Sequence, residues 1–213
     1  MTSNEKQSPE GKDVHHQPTN FSDQVALKLT KFLRFFADTF FASRYGHRAV
    51  VLETVAGVPG MVGGMLRHMR SLRRLENDRG WIKTLLEEAQ NERMHLMIFL
   101  EIAKPTWLER LVILLAQGFF FAAFLMLYIL SPRTAHRLVG YFEEEAVFSY
   151  GEYLEEIDNG KLNNEPAPSL AIEYYDLDES ARLREVVKAV RADEMKHRDV
   201  NHDFADTLSG SRQ

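Results

Sequence analysis

The sequence predicts an all-α fold of about six long helices, four of them gathered around buried acidic side chains. Three observations predict it. Apolar residues recur at 3–4 spacing through most of the chain, and no segment of useful length alternates as a strand would. Four glutamates interrupt apolar helix stripes that should face a core. Two of those glutamates are followed three residues later by histidine. The composition fits a globular domain, with 213 residues, 45% apolar and 27% charged. Zero cysteines exclude disulfides, thiolate metal sites, haem-attachment motifs and cysteine nucleophiles. A net charge of -5 argues against nucleic acid as the partner.

Residues 1–20 are polar, without the apolar run of a signal peptide, and contain three acids and no arginine. They read as a disordered tail, with His15 and His16 solvated. From Phe21 a helix begins whose Val25, Leu29, Phe32, Leu33, Phe36 and Phe40 form one apolar face, with Lys28, Lys31 and Arg34 off its centre. This pattern suits equally a surface helix seated on a core and a helix lying in a membrane interface. Residues 47–75 start apolar and end basic, contain Pro59, which should kink the helix, and carry a Gly60–Gly64 spacing that permits close helix packing. A turn at Asn77–Gly80 precedes a helix from Trp81 to about Ala103, closed by Pro105. Leu111–Leu130 then runs without a charge, long enough to span a bilayer. The next helix opens near Pro132 and ends about Ile157. Asp158–Pro168 is a loop, a last helix runs from about Ser180 to Asp206, and 207–213 form a short tail.

The chemistry lies in two E-x-x-H motifs, Glu92–His95 and Glu194–His197. Two such pairs are unremarkable by count in a chain with 31 acids and 8 histidines; their placement is informative. Glu92 and His95 continue the stripe of Leu85, Ala89 and Phe99, and Glu194 and His197 that of Leu183, Val187 and Val190. Glu53 sits within AVVLETVAGV. Glu143 shares a stripe with Val139, Ala146, Val147 and Tyr150, while Glu144 and Glu145 point elsewhere. A buried carboxylate must be protonated, paired or metal-bound. One glutamate from each of two helices plus an E-x-x-H from each of two others is the pattern of di-iron or di-manganese carboxylate proteins of the ferritin-like four-helix bundle. Four carboxylates balance two divalent ions, and oxygen-rich ligation suits iron or manganese better than copper.

The stretches LETVAGVPGMVGGMLRHMRSLRR, LLEEAQNERMHL, GYFEEEAVFSY and RADEMKHRDVNH, occurring together in this order, resemble the alternative oxidases, and the likeness covers residues 21–206. The resemblance implies a cyanide-insensitive, non-haem di-iron enzyme. It oxidises two ubiquinols, reduces O2 to two waters, pumps no protons, and sits as a homodimer on one membrane leaflet. Carried over by motif, it implies that two iron ions are held by Glu53, Glu92, His95, Glu143, Glu194 and His197, the glutamates being the firmer ligands. Tyr150, seven residues after Glu143, takes the family's redox-tyrosine position, supplying an electron and a proton during O2 cleavage. The matching quinol positions are Arg34, Asp38, Arg48, Leu52, Glu145, Ala146 and Ser149. Asn91 and Asp193 match positions behind the metal ligands, and His136 one linked to the quinol pocket. Two departures follow from this chain's own residues. Without cysteine, the thiol-based control of plant members is excluded, and Tyr175 stands where many members have tryptophan.

The polar start of the chain gives the expectation of a bacterial protein on the cytoplasmic face of the inner membrane. A single span at Leu111–Leu130 would put Glu53 and Glu92 across the bilayer from Glu143 and Glu194. A monotopic arrangement, with helix 21–43 and this one side by side in one leaflet, keeps the four together. Three other readings compete: a ferritin-like iron-binding protein, a lipid-directed di-iron hydroxylase or desaturase, and a membrane protein whose acids are structural ion pairs.

Overall fold

A computed structural model describes residues 15–41 and 44–210. Seven helices follow in order: α1 (Phe21–Phe41), α2 (Tyr45–Arg74), α3 (Trp81–Ala103), α4 (Trp107–Leu130), α5 (Pro132–Asp158), α6 (Ser169–Tyr175) and α7 (Leu183–Gly210). Among the described residues there is no strand, only an isolated bridge between Pro166 and Arg182. The six long helices match the expected ones. The short α6 falls between the expected loop at Asp158–Pro168 and the last helix, where no element was expected, and α7 begins three residues after Ser180 and continues to Gly210, through positions expected as tail. Residues 1–14 of the expected N-terminal tail lie outside the described residues.

Local chemistry sets the helix ends. Gly80 caps the start of α3 at φ +86°, a conformation that strains any residue with a Cβ. Thr106 and Glu109 close a reciprocal capping box at the start of α4. Ser131 accepts from the Thr134 N–H at the start of α5, where Pro132 loses no helix bond. The helical assignment of α2 continues through Pro59.

Helices α2, α3, α5 and α7 form the bundle, with α2 packed on α3 and α5 on α7. The Gly60–Gly64 spacing works inside the chain. A Cβ at Gly60 would overlap the Leu85 carbonyl oxygen of α3, and one at Gly64 would meet Leu86. Two apolar clusters close the bundle. One joins Val50, Phe99, Tyr150, Val187 and Val190; the other joins Val58, Val62, Phe124, Tyr128 and Val139. The acidic positions Glu53 and Glu143 fall between these clusters along α2 and α5.

Helices α1 and α4 lie outside the bundle. The side that α1 turns inward carries Asp23, Ala26 and Thr30. Val25, Leu29, Phe32, Leu33 and Phe36 are exposed. The apolar stripe of this helix therefore faces away from the core. Phe40's side chain lies outside the described residues. α4 seats Phe124 and Tyr128 and exposes Trp107, Leu111, Leu115, Phe119, Ile129 and Leu130. α1 packs on α5, α4 packs on α2 and α5, and Leu127 of α4 meets the cluster that seats Ala26 of α1. Both helices therefore flank α5. By length and composition α2 and α4 could each cross a membrane, but 56% of the apolar window of α2 is buried, against 11% for α4.

Candidate functional site

The four bundle helices bring the four predicted glutamates and two histidines together. Ligand-capable atoms of Glu53, Glu92, His95 and Glu194 lie within 4.8 Å of one another, and so do those of Glu92, Glu143, Glu194 and His197. The two groups share Glu92 and Glu194, the glutamates of the two E-x-x-H motifs. The i,i+3 spacing sets each histidine beside its own glutamate: His95 Nδ1 is 3.5 Å from Glu92, and His197 Nδ1 is 3.4 Å from Glu194. His95 Nδ1 also lies 3.1 Å from Glu194 and 3.3 Å from Glu53, and His197 Nδ1 lies 2.6 Å from Glu92.

These close approaches are not hydrogen bonds. Both oxygens of Glu92 and Glu194, one of Glu53, both ring nitrogens of His95 and Nδ1 of His197 are buried without a hydrogen-bond partner. So many unpartnered polar atoms at one point would cost several kcal/mol if nothing joined them. Oxygen and imidazole donors that converge without bonding one another fit a pair of divalent ions.

Without metal, protons must neutralise the cluster. Burial and the charges of Glu194 and Glu92 hold Glu53 and Glu143 well above the carboxylate range. Burial opposes the charging of His197, but Glu92 and Glu194 push it up to about 12. Burial likewise opposes His95, and Asp193, Glu194, Glu53 and Glu92 prevail and raise it. Burial would raise Glu92, yet His197 and His95 hold it low. Tyr150 donates its hydroxyl to Glu53 and stacks on Phe99. Burial keeps its phenol protonated.

Asn91 and Asp193 stand behind His95. Its Nε2 is 3.5 Å from Asp193, whose carboxylate accepts from Asn91 (3.1 Å), Tyr175 (3.0 Å) and Lys196 (2.7 Å). Asn91 reaches Tyr174 at 2.8 Å. At Tyr175 the phenol provides the donor, and its ring stacks on His95.

The expected quinol positions form a second group beside the first. Arg34 binds Asp38 (3.0 Å), Glu145 (2.6 Å) and Glu152 (3.0 Å), and Arg48 binds Asp38 at 2.8 Å. Leu52 is half-buried next to Glu53. Ala146 packs on the core beside Tyr150, and Ser149 is buried one residue before it. His136 belongs elsewhere: it bonds Asn201 (2.9 Å) and Tyr128 (3.1 Å) and packs against Trp81 and Phe204, at the α4–α5–α7 end of the bundle. A separate cavity of about 590 Å³ opens between α2, α3 and α4. Glu53, Gly57, Met61, Leu86, Arg93 and Gln117 are among its lining, and Arg34, Asp38, Arg48 and Glu145 are not.

Several site residues escaped the sequence reading. Glu88 is fully buried; desolvation pushes it up to about 7, although Asn201 donates to both its oxygens. Glu88 lies one turn before Glu92, and Asn201 one turn after His197, so extending each motif by four residues would have found both. Glu152 joins the Arg34 group from one turn beyond Phe148. Glu144 points away from the cluster, as expected, and is buried against His202 and the N-terminal segment. That segment corrects a further expectation: His15 and His16 are not solvated but packed on α5 and α7.

The family model described as alternative oxidase matches residues 3–206 of this chain. A protein named ubiquinol oxidase 2, mitochondrial, from Arabidopsis thaliana is 57% identical over 199 residues, which is 93% of this chain and 56% of that protein. The ubiquinol oxidase 2, mitochondrial, of Glycine max is 58% identical over 90% of this chain and 58% of its own length. The alternative oxidase 3, mitochondrial, of Glycine max is 56% identical over 90% of this chain and 59% of its own length. The chain thus spans a little over half the length of these relatives. A match across nearly all of this chain, with the six carboxylate and imidazole side chains gathered at one point, leads to one conclusion: the chain belongs to the alternative oxidase family.

Proposed function

We propose that this chain is a ubiquinol oxidase that couples the oxidation of two ubiquinols to the reduction of O2 to two waters at a di-iron centre. The observation that carries the reading is the convergence of four buried glutamates and two histidines, with both oxygens of Glu92 and Glu194 and both ring nitrogens of His95 lacking a hydrogen-bond partner, in a chain of this family. Glu92 and Glu194 belong to both groups and would help to hold both ions. Glu53 with His95, and Glu143 with His197, would complete the two ends. Two irons held there supply reversible one-electron chemistry and O2 reduction.

The chain's own residues do the rest. Arg34 and Arg48, with Asp38 and Glu145 between them, offer donors and acceptors for quinol hydroxyls. Ser149, Leu52 and Ala146 continue that surface toward Glu53 and Tyr150. The two apolar clusters exclude water from the acidic centre. Asp193, held by Asn91, Tyr175 and Lys196, fixes the orientation of His95. Tyr150 keeps its proton, bound to Glu53, and can give up an electron and that proton together during O2 reduction.

The enzyme is monotopic in this reading. The apolar faces of α1 and α4 enter one leaflet, and quinol reaches the site from the lipid. The seating of α4 along α2 and α5 supports this: a bilayer around α4 would also enclose its charged bundle neighbours. With all chemistry on one side, the reaction conserves no proton gradient. The relatives are mitochondrial by name; our finer placement is a bacterial inner membrane, bundle on the cytoplasmic face. The protein is a homodimer in this reading, the partner copy covering the α2–α3–α4 cavity and the exposed Met61, Met65, Met69, Leu72 and Leu86 beside it. The Gly60–Gly64 pair takes no part in that contact. Residues 21–206 form the catalytic domain.

The test is O2 uptake by the iron-loaded protein given a short-tailed ubiquinol. Cyanide-insensitive uptake at two quinols per O2 is expected. Oxidation of free ferrous ion without quinol turnover would favour iron storage, and an oxygenated lipid product would favour a hydroxylase. Protease that reaches the two chain ends from opposite sides of sealed vesicles would exclude the monotopic arrangement.

A further inference from the structure

The N-terminal segment reaches the candidate quinol group through one side chain. His15 Nδ1 lies 2.5 Å from Glu144 Oε2, and its Nε2 lies 3.2 Å from Glu145 Oε1. The other oxygen of Glu145 takes the Arg34 guanidinium at 2.6 Å. Glu145 is therefore pinned from both sides, by an α1 side chain on one oxygen and an N-terminal imidazole on the other. The imidazole is itself fixed. Its ring packs edge-on against Phe148 at 5.4 Å and Tyr141 at 6.4 Å. Its anchor, Glu144, also accepts from the His16 backbone N–H (2.7 Å) and from His202 Nε2 (3.0 Å). Arg137 donates to His202 Nδ1 at 2.8 Å, which leaves the His202 proton on Nε2, facing Glu144.

We propose that His15 is a positioning residue of the quinol pocket, holding Glu145 in the orientation in which, together with Arg34, it receives a quinol hydroxyl. The proposal rests on the reading of Arg34 and Glu145 as quinol-binding groups. His15 is 17% exposed and Glu145 14%, so the pair lies at the edge of the protein, where a substrate can reach Glu145 and His15 cannot swing freely. A carboxylate held on one oxygen alone can rotate away. A second contact, on the other oxygen, restricts that rotation before the substrate arrives. The effect belongs in substrate binding rather than in the chemical step.

Three variants of the iron-loaded enzyme test this. His15→Phe keeps a ring against Phe148 and Tyr141 but donates nothing. His15→Gln keeps an amide that can donate to both carboxylates. His16→Ala alters the same segment at a side chain that stacks on His202 and does not touch Glu145. With a short-tailed ubiquinol, His15→Phe should raise KM ~10-fold with kcat within ~2-fold, and His15→Gln should return KM to within ~3-fold of the original. His16→Ala should leave KM within ~2-fold. Should His15→Phe lose iron or helix content, His15→Ala takes its place with the same expectations. An unchanged KM in the Phe or Ala variant overturns the proposal. An equal rise in His16→Ala, or no rescue by Gln, shows a merely structural tether and also overturns it. An original enzyme that binds iron but turns over no quinol overturns the functional reading itself, and this inference with it.

Discussion

Replacing Gly60 by alanine probes the contact that sets the distance between the two halves of the acidic cluster. Glu53 is on α2 and Glu92 on α3, and Gly60 is where the backbones of these helices meet. The added Cβ would overlap the Leu85 carbonyl oxygen and stand 3.0 Å from both N and Cβ of Ala89. Backbone atoms cannot rotate aside, so the helices must separate by on the order of 1 Å. Overpacking of this kind costs about 1–3 kcal/mol, partly offset by alanine's helix preference of up to ~1 kcal/mol. A net loss of ~2 kcal/mol lowers Tm by roughly 4–8 °C in a chain of this size. Gly64→Ala meets the mobile end of Leu86 and should cost less, while Gly118→Ala on α4 meets nothing within 4 Å and should be neutral or stabilising. The assay is thermal unfolding of the detergent-solubilised protein at one scan rate, with iron per chain measured alongside. The predicted order of Tm is Gly118→Ala highest, then Gly64→Ala, then Gly60→Ala, which should also lose iron. A Gly60→Ala protein with unchanged Tm and iron but altered oligomeric state would show that the glycine pair serves a contact between copies and not the approach of α2 to α3.

Three further outcomes follow from the buried charges. In the metal-free protein Glu88 keeps its proton to about pH 7, whereas the unfolded chain releases it near the ordinary glutamate value of 4.5. The folded state then binds more protons across that window, so stability falls as pH rises, by about 3 kcal/mol for this group by pH 8. Glu88→Gln should remove that loss, and parallel pH–stability curves for variant and original would contradict it. Metal loading should displace protons from His95, His197, Glu53 and Glu143, about two per ion, so affinity should rise with pH; proton release in weakly buffered solution reads this directly. Tyr150→Phe should keep its iron while turnover falls roughly tenfold or more; full turnover at unchanged iron content would remove the redox role of the phenol.

Much of this arrangement was legible in the sequence because helical spacing and the cost of burying a carboxylate act locally. Glu53 and Glu143 stood out as acids on apolar stripes, and the two E-x-x-H pairs as ligands on one face. The six side chains that the periodicity selected are the six the fold gathers. Local rules failed where a partner is distant in the chain. The stripe on α1 reads the same whether it faces a core or lipid; only the seating of Ala26 and Thr30 shows it turned outward. Glycines four apart permit close approach without naming the neighbour, and the neighbour proved to be α3. His15 and His16 carry no periodic signal, since their partners Glu144 and His202 lie more than a hundred residues away. Glu88 and Asn201 were within reach, one turn from each motif, and were passed over because neither completes a ligand pattern.

Quinol oxidation by two irons in this acidic cluster is tested by one titration. Ferrous ion is added anaerobically to the metal-free protein, and quinol-dependent O2 uptake is measured at each level of bound iron. Activity should rise to a plateau at about two irons per chain and be absent at every iron level in Glu53→Ala. Activity that reaches its plateau well below two irons, or that survives in Glu53→Ala, would contradict it.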